Sequence, residues 1–139
     1  MNRNQKFISS AGKGNYEMVE YFLKFTNIDP TINKNEAIIV SSRNGHLDVV
    51  ELLLSDSRVD PSSNGNEAIR FASENGHLEV VKLLLSDARV LSKIFFTDTN
   101  KIYKKCRDIL IKFHKKMNKS NWPIFLLKRP FAIHLHKSS

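Results

Sequence analysis

The sequence predicts an all-α protein, a helix-turn-helix solenoid of about three 31-residue repeats followed by a C-terminal capping helix. Two observations lead to this fold class. The segment 35–60 recurs as 66–91 with 18 of its 26 residues identical, and self-similarity at a fixed period of this length is the signature of a repeat protein. Within each segment, apolar residues recur at helical spacing on both sides of an Asn-Gly pair. This pattern predicts two helices joined by a tight turn.

A weaker copy precedes these two. A backward shift of 31 residues aligns Gly14 with Gly45 and Gly76, and it aligns Ile-Asp-Pro at 28–30 with Val-Asp-Pro at 59–61. After the last copy the Asp-Pro pair is missing, and no further Gly-His-Leu follows at the same offset. The predicted organisation is therefore an array over residues 1–96, with copies at 4–34, 35–65 and 66–96, and a separate segment over 97–139.

The second copy shows what each unit needs. Asn35 is a predicted N-cap of the first helix, and Gly45 is placed to end that helix in the left-handed conformation. The second helix is apolar around most of its circumference, so neighbouring copies must cover it. An Asp-Pro and an Asn-Gly pair predict that residues 57–65 form an extended, turning connector. The predicted core positions of the two clear copies are Ile38, Val40, Leu47, Val50, Leu53, Leu54, Ile69, Phe71, Leu78, Val81, Leu84 and Leu85.

The stretches NGHLDVVELLL and ENGHLEVVKLLL resemble the second-helix signature of ankyrin repeats, and the resemblance covers about residues 4–91. It implies stacked helix pairs whose first helices and loop tips form a concave binding surface. The first helices contain EAII and EAIR where that family usually has Thr-Pro-Leu-His, and the period of 31 predicts a connecting loop shorter than usual. The variant looks most like the ankyrin sets encoded by giant DNA viruses of protists.

The resemblance also implies a function and the residues that carry it. Ankyrin arrays bind proteins and do not catalyse a reaction, so the predicted function is a protein–protein interaction scaffold for an unknown partner, a host protein if the source is viral. Its contacts would come from loop tips and from the exposed ends of first helices. The predicted partner-binding residues are Lys13, Asn33, Asn35, Arg43, Asn44, Ser63, Asn64, Asn66, Glu74 and Asn75.

The charge changes sign along the chain. Residues 1–90 carry 10 Lys and Arg against 12 Asp and Glu, whereas residues 91–139 carry 12 against 2. From Ile102 to Met117, apolar residues recur at helical spacing with lysines around them, and Asp98 is placed to cap this helix. Its predicted role is to close the open end of the array. The alternative function is that this basic segment binds nucleic acid or an anionic surface.

The last part of the chain, from Trp122 to Leu135, is too apolar for a free tail, and Pro123 and Pro130 exclude a regular helix across it. Two interpretations remain open, a segment packed on the body of the protein and an exposed docking segment.

No catalytic, metal or cofactor site is predicted. His46 and His77 are expected to be turn and helix-start residues, Cys106 to be a buried thiol, and the pair His134 and His136 lacks an evident third metal ligand. The single cysteine allows no disulfide within the chain. The sequence shows no signal-peptide pattern and no apolar run of membrane-spanning length. These features predict an intracellular, cytoplasmic monomer, with the nucleus as the alternative location.

Overall fold

In the computed structural model of the protein, the described residues are 1–96, with side chains described through residue 93. This part of the chain folds into helices without a strand, and the predicted all-α helix-turn-helix solenoid is confirmed. The predicted capping helix within 97–139 lies outside the described residues. The helices are α1 (Arg3–Lys13), α2 (Tyr16–Phe25), α3 (Ile32–Arg43), α4 (Leu47–Leu54), α5 (Ser63–Glu74), α6 (Leu78–Leu85) and α7 (Ala88–Phe96).

Three helix pairs stack in chain order so that like helices meet. Helix α3 packs between α1 and α5, and α4 packs between α2 and α6. The first helices carry small buried side chains such as Ala37, Ser41, Ala68 and Ala72, whereas the second helices carry buried valines and leucines. Because small side chains allow helices to approach closely, we infer that the stack curves toward α1, α3 and α5. These three helices therefore line its concave, inner side.

One hydrophobic core runs through all three copies. In the first copy, the rings of Phe7 and Phe22 meet edge to face with centroids 5.8 Å apart. In the other two copies, Leu53 and Leu84 are fully buried in the second helices. Helix α4 contacts α2 and α6, and α6 contacts α4 and α7. Of the predicted core positions, Ile38, Val50, Leu53, Ile69, Val81, Leu84 and Leu85 are buried, and Val40, Leu47, Leu54, Phe71 and Leu78 are half-buried.

Each joint between copies is built from a glycine and a histidine. Gly14 has φ 74°, and a Cβ placed on it would lie 2.5 Å from Nδ1 of His46. The Nε2 atom of His46 is 3.0 Å from the backbone oxygen of Gly12, so this ring connects the second copy to the first. Gly45 and His77 repeat the same close approach one copy later. Both histidines lie at the starts of second helices, where the sequence places them.

The first copy departs from this pattern where no helix pair lies before it in the described structure. Asn15 stands at the position that His46 and His77 occupy in the later copies. Its Oδ1 accepts a hydrogen bond from the backbone N–H of Met18 at 3.2 Å. The residue thus caps its own helix, whereas the histidine of the second copy reaches back to the preceding turn.

The starts of α3 and α5 differ from the prediction. Asn33, Lys34 and Asn35 have φ values of 53°, 58° and 64°, and Asn64, Gly65 and Asn66 repeat this left-handed run. The predicted N-cap role of Asn35 is wrong, because its Oδ1 instead accepts a hydrogen bond from the backbone N–H of Asp60 at 2.9 Å. Both connectors therefore end in a left-handed turn, and the first of these turns is held to the connector of the next copy.

The third copy ends in a helix, α7, in place of an extended connector. Ser92 stands where the second copy has Pro61, so the residue that would end a helix is absent. Helix α7 packs against α5 and α6. The guanidinium of Arg89 donates to the backbone oxygen of Val59 at 3.0 Å, and the ammonium of Lys93 donates to that of Ser62 at 2.8 Å. This helix covers part of the last unit.

Candidate partner-binding face

The candidate binding face is the set of accessible side chains on the inner helices α1, α3 and α5 and on the residues directly before and after them, called here the inner face. Eight of the ten predicted partner-binding residues have accessible side chains. Ser63 is half-buried, and the other seven are exposed. They are Lys13, Asn33, Arg43, Asn44, Asn64, Glu74 and Asn75.

Asn35 and Asn66 do not belong to this face. Their exposed fractions are 7% and 0%, so their predicted role as surface contacts is corrected. The side-chain amide of Asn66 donates to the backbone oxygen of Val90 at 3.0 Å, and that of Asn35 accepts from Asp60. Asn35 therefore holds its left-handed turn to the following connector and Asn66 holds its turn to α7, so both are buried supports of the inner face.

The left-handed turns form one edge of the inner face. The side-chain amide of Asn33 donates to the carboxylate of Glu36 at 3.0 Å, and Asn64 makes the equivalent bond to Glu67. The hydroxyl of Ser63 donates to the backbone oxygen of Lys34 at 3.0 Å. Successive turns are therefore tied together and present amides beside carboxylates at a fixed spacing.

The C-terminal ends of the inner helices form the opposite edge. Lys13 ends α1, Asn44 follows α3, and Asn75 follows α5. The side-chain amide of Asn44 donates to the backbone oxygen of Gly12 at 2.7 Å. The side-chain amide of Asn75 instead donates to the backbone oxygen of Phe71, in its own copy, at 2.9 Å. Asn44 thus also stabilises a joint between copies. A substitution at this position would test binding and packing together.

An aromatic ring and two arginines cluster on α3 and α5, and of the three only Arg43 was among the predicted partner-binding residues. The guanidinium carbon of Arg43 lies 4.3 Å from the ring centroid of Phe71, and that of Arg70 lies 5.4 Å from it. The guanidinium of Arg70 is also 3.8 Å from the carboxylate of Glu67. Stacking on a ring fixes a guanidinium plane and leaves N–H groups at its edge for an acceptor. We call these three residues the Arg–Phe–Arg cluster.

Sequence reasoning placed Phe71 in the core and Arg43 on the surface without joining them. One signal could have found the cluster. Val40 stands one period before Phe71, and the exchange of a valine for a phenylalanine on an inner helix adds a ring that one repeat interface is too small to bury. The ring is half-buried, and the arginine of the preceding copy lies over it.

The perturbed carboxylates lie in the connectors and not on the inner face. A side-chain hydrogen bond from Arg58 lowers the pKa of Asp56 below its ordinary value, and one from Arg89 lowers the pKa of Asp87 in the same way. A side-chain hydrogen bond from Thr31 lowers the pKa of Asp29. Each of these carboxylates accepts from a residue two positions further on, so these pKa shifts accompany turn formation.

Among residues 1–96, no group of three His, Cys, Asp or Glu side chains is arranged to hold a metal ion. Within the same range, none of the helices is both long and apolar enough to cross a membrane. The predictions for Cys106, His134 and His136 lie outside the described residues.

Comparison with known families places the chain. The model described as "Ankyrin repeats (3 copies)" matches residues 7–94, which is more than half of the chain, and the protein therefore belongs to the ankyrin-repeat family. In the comparisons with curated proteins and with solved structures, nothing matches the chain. Ankyrin repeats are generally protein–protein interaction modules, and the family is typically not enzymatic.

Proposed function

We propose that this protein is a non-catalytic scaffold that binds a partner protein through its inner face. The observation that carries the proposal is the Arg–Phe–Arg cluster, in which Arg43 and Arg70 flank the half-buried ring of Phe71 at 4.3 and 5.4 Å. Arginines and aromatic residues near the centre of an interface account for a large share of binding energy in many complexes. The rows of asparagines along both edges would add polar contacts around this centre.

The chemistry of the inner face favours a partner segment that carries carboxylates. The guanidinium of Arg43 is oriented by the ring beneath it, and it is free of any ion pair with a described carboxylate. A pre-oriented guanidinium binds a carboxylate through two parallel hydrogen bonds. Lys13 lies at the end of the preceding inner helix and adds a second positive charge.

The setting of this function is part of the same proposal. The repeats resemble those encoded by giant DNA viruses, so the proposed partner is a host protein and the proposed location is the host cytoplasm. The scaffold is proposed to act as a monomer, without cofactor or metal. A stack of three copies satisfies the minimum that repeat proteins need for stability.

A second candidate function rests on charge. Residues 97–139 contain 11 Lys and Arg against 2 Asp, a net charge of +9. This segment is the alternative binding site, for nucleic acid or an anionic surface. Its binding would fall steeply with salt because phosphate contacts release counterions. Binding at the inner face should depend on salt less steeply, because screening weakens its charge pairs without the counterion release of a phosphate polymer.

A matched pair of arginine variants tests the proposed function. Wild type, Arg43→Ala and Arg58→Ala, each as the full chain, are used to capture proteins from a host-cell lysate at low and high salt. Arg58 is also exposed, but it belongs to a connector and pairs with Asp56 at 2.8 Å. We expect a protein that wild type and Arg58→Ala retain and Arg43→Ala loses, at both salt concentrations. Identical capture by all three variants, or capture only of nucleic acid at low salt, contradicts the proposal.

A further inference from the structure

The N-terminal end of the stack exposes an apolar stripe on its outer helix. Met18, Tyr21 and Phe25 of α2 are 42%, 52% and 74% exposed, and their spacing of three and four residues places them along one side of the helix. The rings of Tyr21 and Phe25 lie with centroids 5.7 Å apart. Large apolar side chains that are exposed together on a protein surface mark an interaction site.

The repeat register shows what kind of surface this is. Met18 occupies the position of Val49 and Val80 in the later copies. Those two valines are 0% and 1% exposed, because α4 packs on α2 and α6 packs on α4. In the first copy this position stays 42% exposed. Met18 therefore stands at a position whose equivalents in the later copies receive a helix, whereas Tyr21 aligns with the half-buried Leu52 and Leu83. Phe25 aligns with Asp56 and Asp87 of the turns that follow α4 and α6, so its ring is an addition of the first copy.

The part of this N-terminal end that α1 forms is positively charged. Lys6 stands where the later copies have Ala37 and Ala68, both fully buried. Together with Lys13 and Met18 it lines a groove of about 250 Å³ between the ends of α1 and α2. Neither lysine forms an ion pair with a described carboxylate.

The charges of Lys6 and Lys13 indicate which kind of partner can bind at this end. A further repeat stacked in register, from this chain or a second copy, would bury the ammonium of Lys6 at an alanine position, and burial of an unpaired charge is costly. The chain's own residues 97–139 carry a net charge of +9, which would place like charges against Lys6 and Lys13. Charge complementarity thus favours a different partner, with carboxylates beside its apolar side chains.

We propose that this end is a second docking surface, which adjoins the inner face at Lys13 and binds an amphipathic acidic helix of a partner protein. The apolar side of that helix covers Met18, Tyr21 and Phe25. Acidic residues along one edge of it meet Lys6 and Lys13. This is the helix-in-groove mode of recognition, at a place where the solenoid itself would otherwise set another helix.

Two synthetic peptides and the full chain test this proposal. The first is a fluorescein-labelled helix of about five turns, with leucines along one stripe and glutamates beside it, and the second has lysine at each glutamate position. In anisotropy titrations we expect the glutamate peptide to bind roughly tenfold more tightly. Lys6→Glu should reverse this preference. Lys34→Glu, the same charge change on a left-handed turn of the inner face, should leave it unchanged.

The apolar half is tested in the same titration. The double variant Met18→Ala/Phe25→Ala should weaken binding of the glutamate peptide roughly tenfold, with an unchanged melting curve because both side chains are exposed. Equal binding of the two peptides, or binding indifferent to this double variant, overturns the proposal.

A photo-crosslinker at position 18 of the full chain identifies any competing occupant. We expect crosslinks to the glutamate peptide when it is present. Crosslinks to residues 97–139, or a covalent dimer, that persist with the peptide in excess would show that the surface is already covered. Either result would overturn the proposal.

Discussion

Leu53→Ala tests how α4 is packed in the core of the stack. Leu53 lies on α4 in the middle copy and is 0% exposed. The substitution removes three buried carbon groups, each contributing about 0.8 kcal/mol of transfer free energy, so the loss begins at about 2.4 kcal/mol. The residual cavity raises it, and comparable core substitutions cost about 2–5 kcal/mol in total. Because copies lie on both sides of α4, little collapse into the cavity is expected.

The assay is urea-induced unfolding of the full chain, followed by circular dichroism. Leu52→Ala is the matched control, since Leu52 is the adjacent residue of the same helix but is half-buried. We expect the free energy of unfolding to fall by about 2–5 kcal/mol for Leu53→Ala and by clearly less for Leu52→Ala. Equal losses for the two variants, or an unchanged midpoint for Leu53→Ala, would refute the packing assigned to α4.

Three other predictions concern the backbone and the connectors. Lys34→Gly should stabilise the protein by roughly 1 kcal/mol in urea unfolding, because Lys34 has φ 58° where the next copy has Gly65. Gly65→Ala should destabilise the protein by a similar amount. Effects of the opposite sign would contradict the left-handed conformation of these two residues. Gly45→Ala should lower the melting temperature more than Gly65→Ala does. A Cβ on Gly45 would collide with the ring of His77, whereas a Cβ on Gly65 meets no atom within 4 Å. Equal effects would show that the His77 ring is not packed tightly against Gly45. Acid should destabilise the fold, because the pKa of Asp56 is lowered in the folded state. The resulting stability is present above the unfolded pKa of about 4 and is lost as the pH falls through the folded pKa. If Asp56→Asn leaves the curve of stability against pH unchanged between pH 7 and 2, this contribution is disproved.

Periodicity carries the parts of the fold that could be predicted. The 31-residue register aligned Gly45 with Gly76 and placed two helices in each copy, because burial of a second helix on several sides demands the same apolar positions every time. It also placed His46 and His77 at helix starts. These features repeat, and one copy therefore serves as a check on another.

The parts that could not be predicted depend on contacts between copies. Asn35 and Asn66 were assigned to the surface because the resemblance to ankyrin repeats implies contacts from loop tips and from the exposed ends of first helices. In the structure, Asn35 bonds to Asp60 of the following connector and Asn66 bonds to Val90 of α7, 25 and 24 residues further along the chain. A local propensity contains no information about such a partner.

The candidate binding face likewise has parts that the sequence predicts and parts that depend on contacts between copies. Exposure of Lys13, Arg43 and Glu74 follows from their place at helix ends, and the sequence was sufficient to predict it. The stacking of Arg43 on Phe71 joins two copies, and it depends on how closely α3 approaches α5. Helix α7 likewise replaces a connector for a non-periodic reason, the serine at position 92 where the second copy has a proline.

The central claim is that a protein partner covers the inner face. The most direct measurement is hydroxyl-radical footprinting of the full chain with and without the captured partner, read by mass spectrometry at aromatic residues. Phe71 reports on the inner face, Phe25 on the N-terminal end and Trp122 on the basic segment. The account predicts that the partner lowers oxidation of Phe71 and leaves that of Trp122 unchanged. Protection of Trp122 with Phe71 unprotected would contradict it and would assign binding to the C-terminal segment.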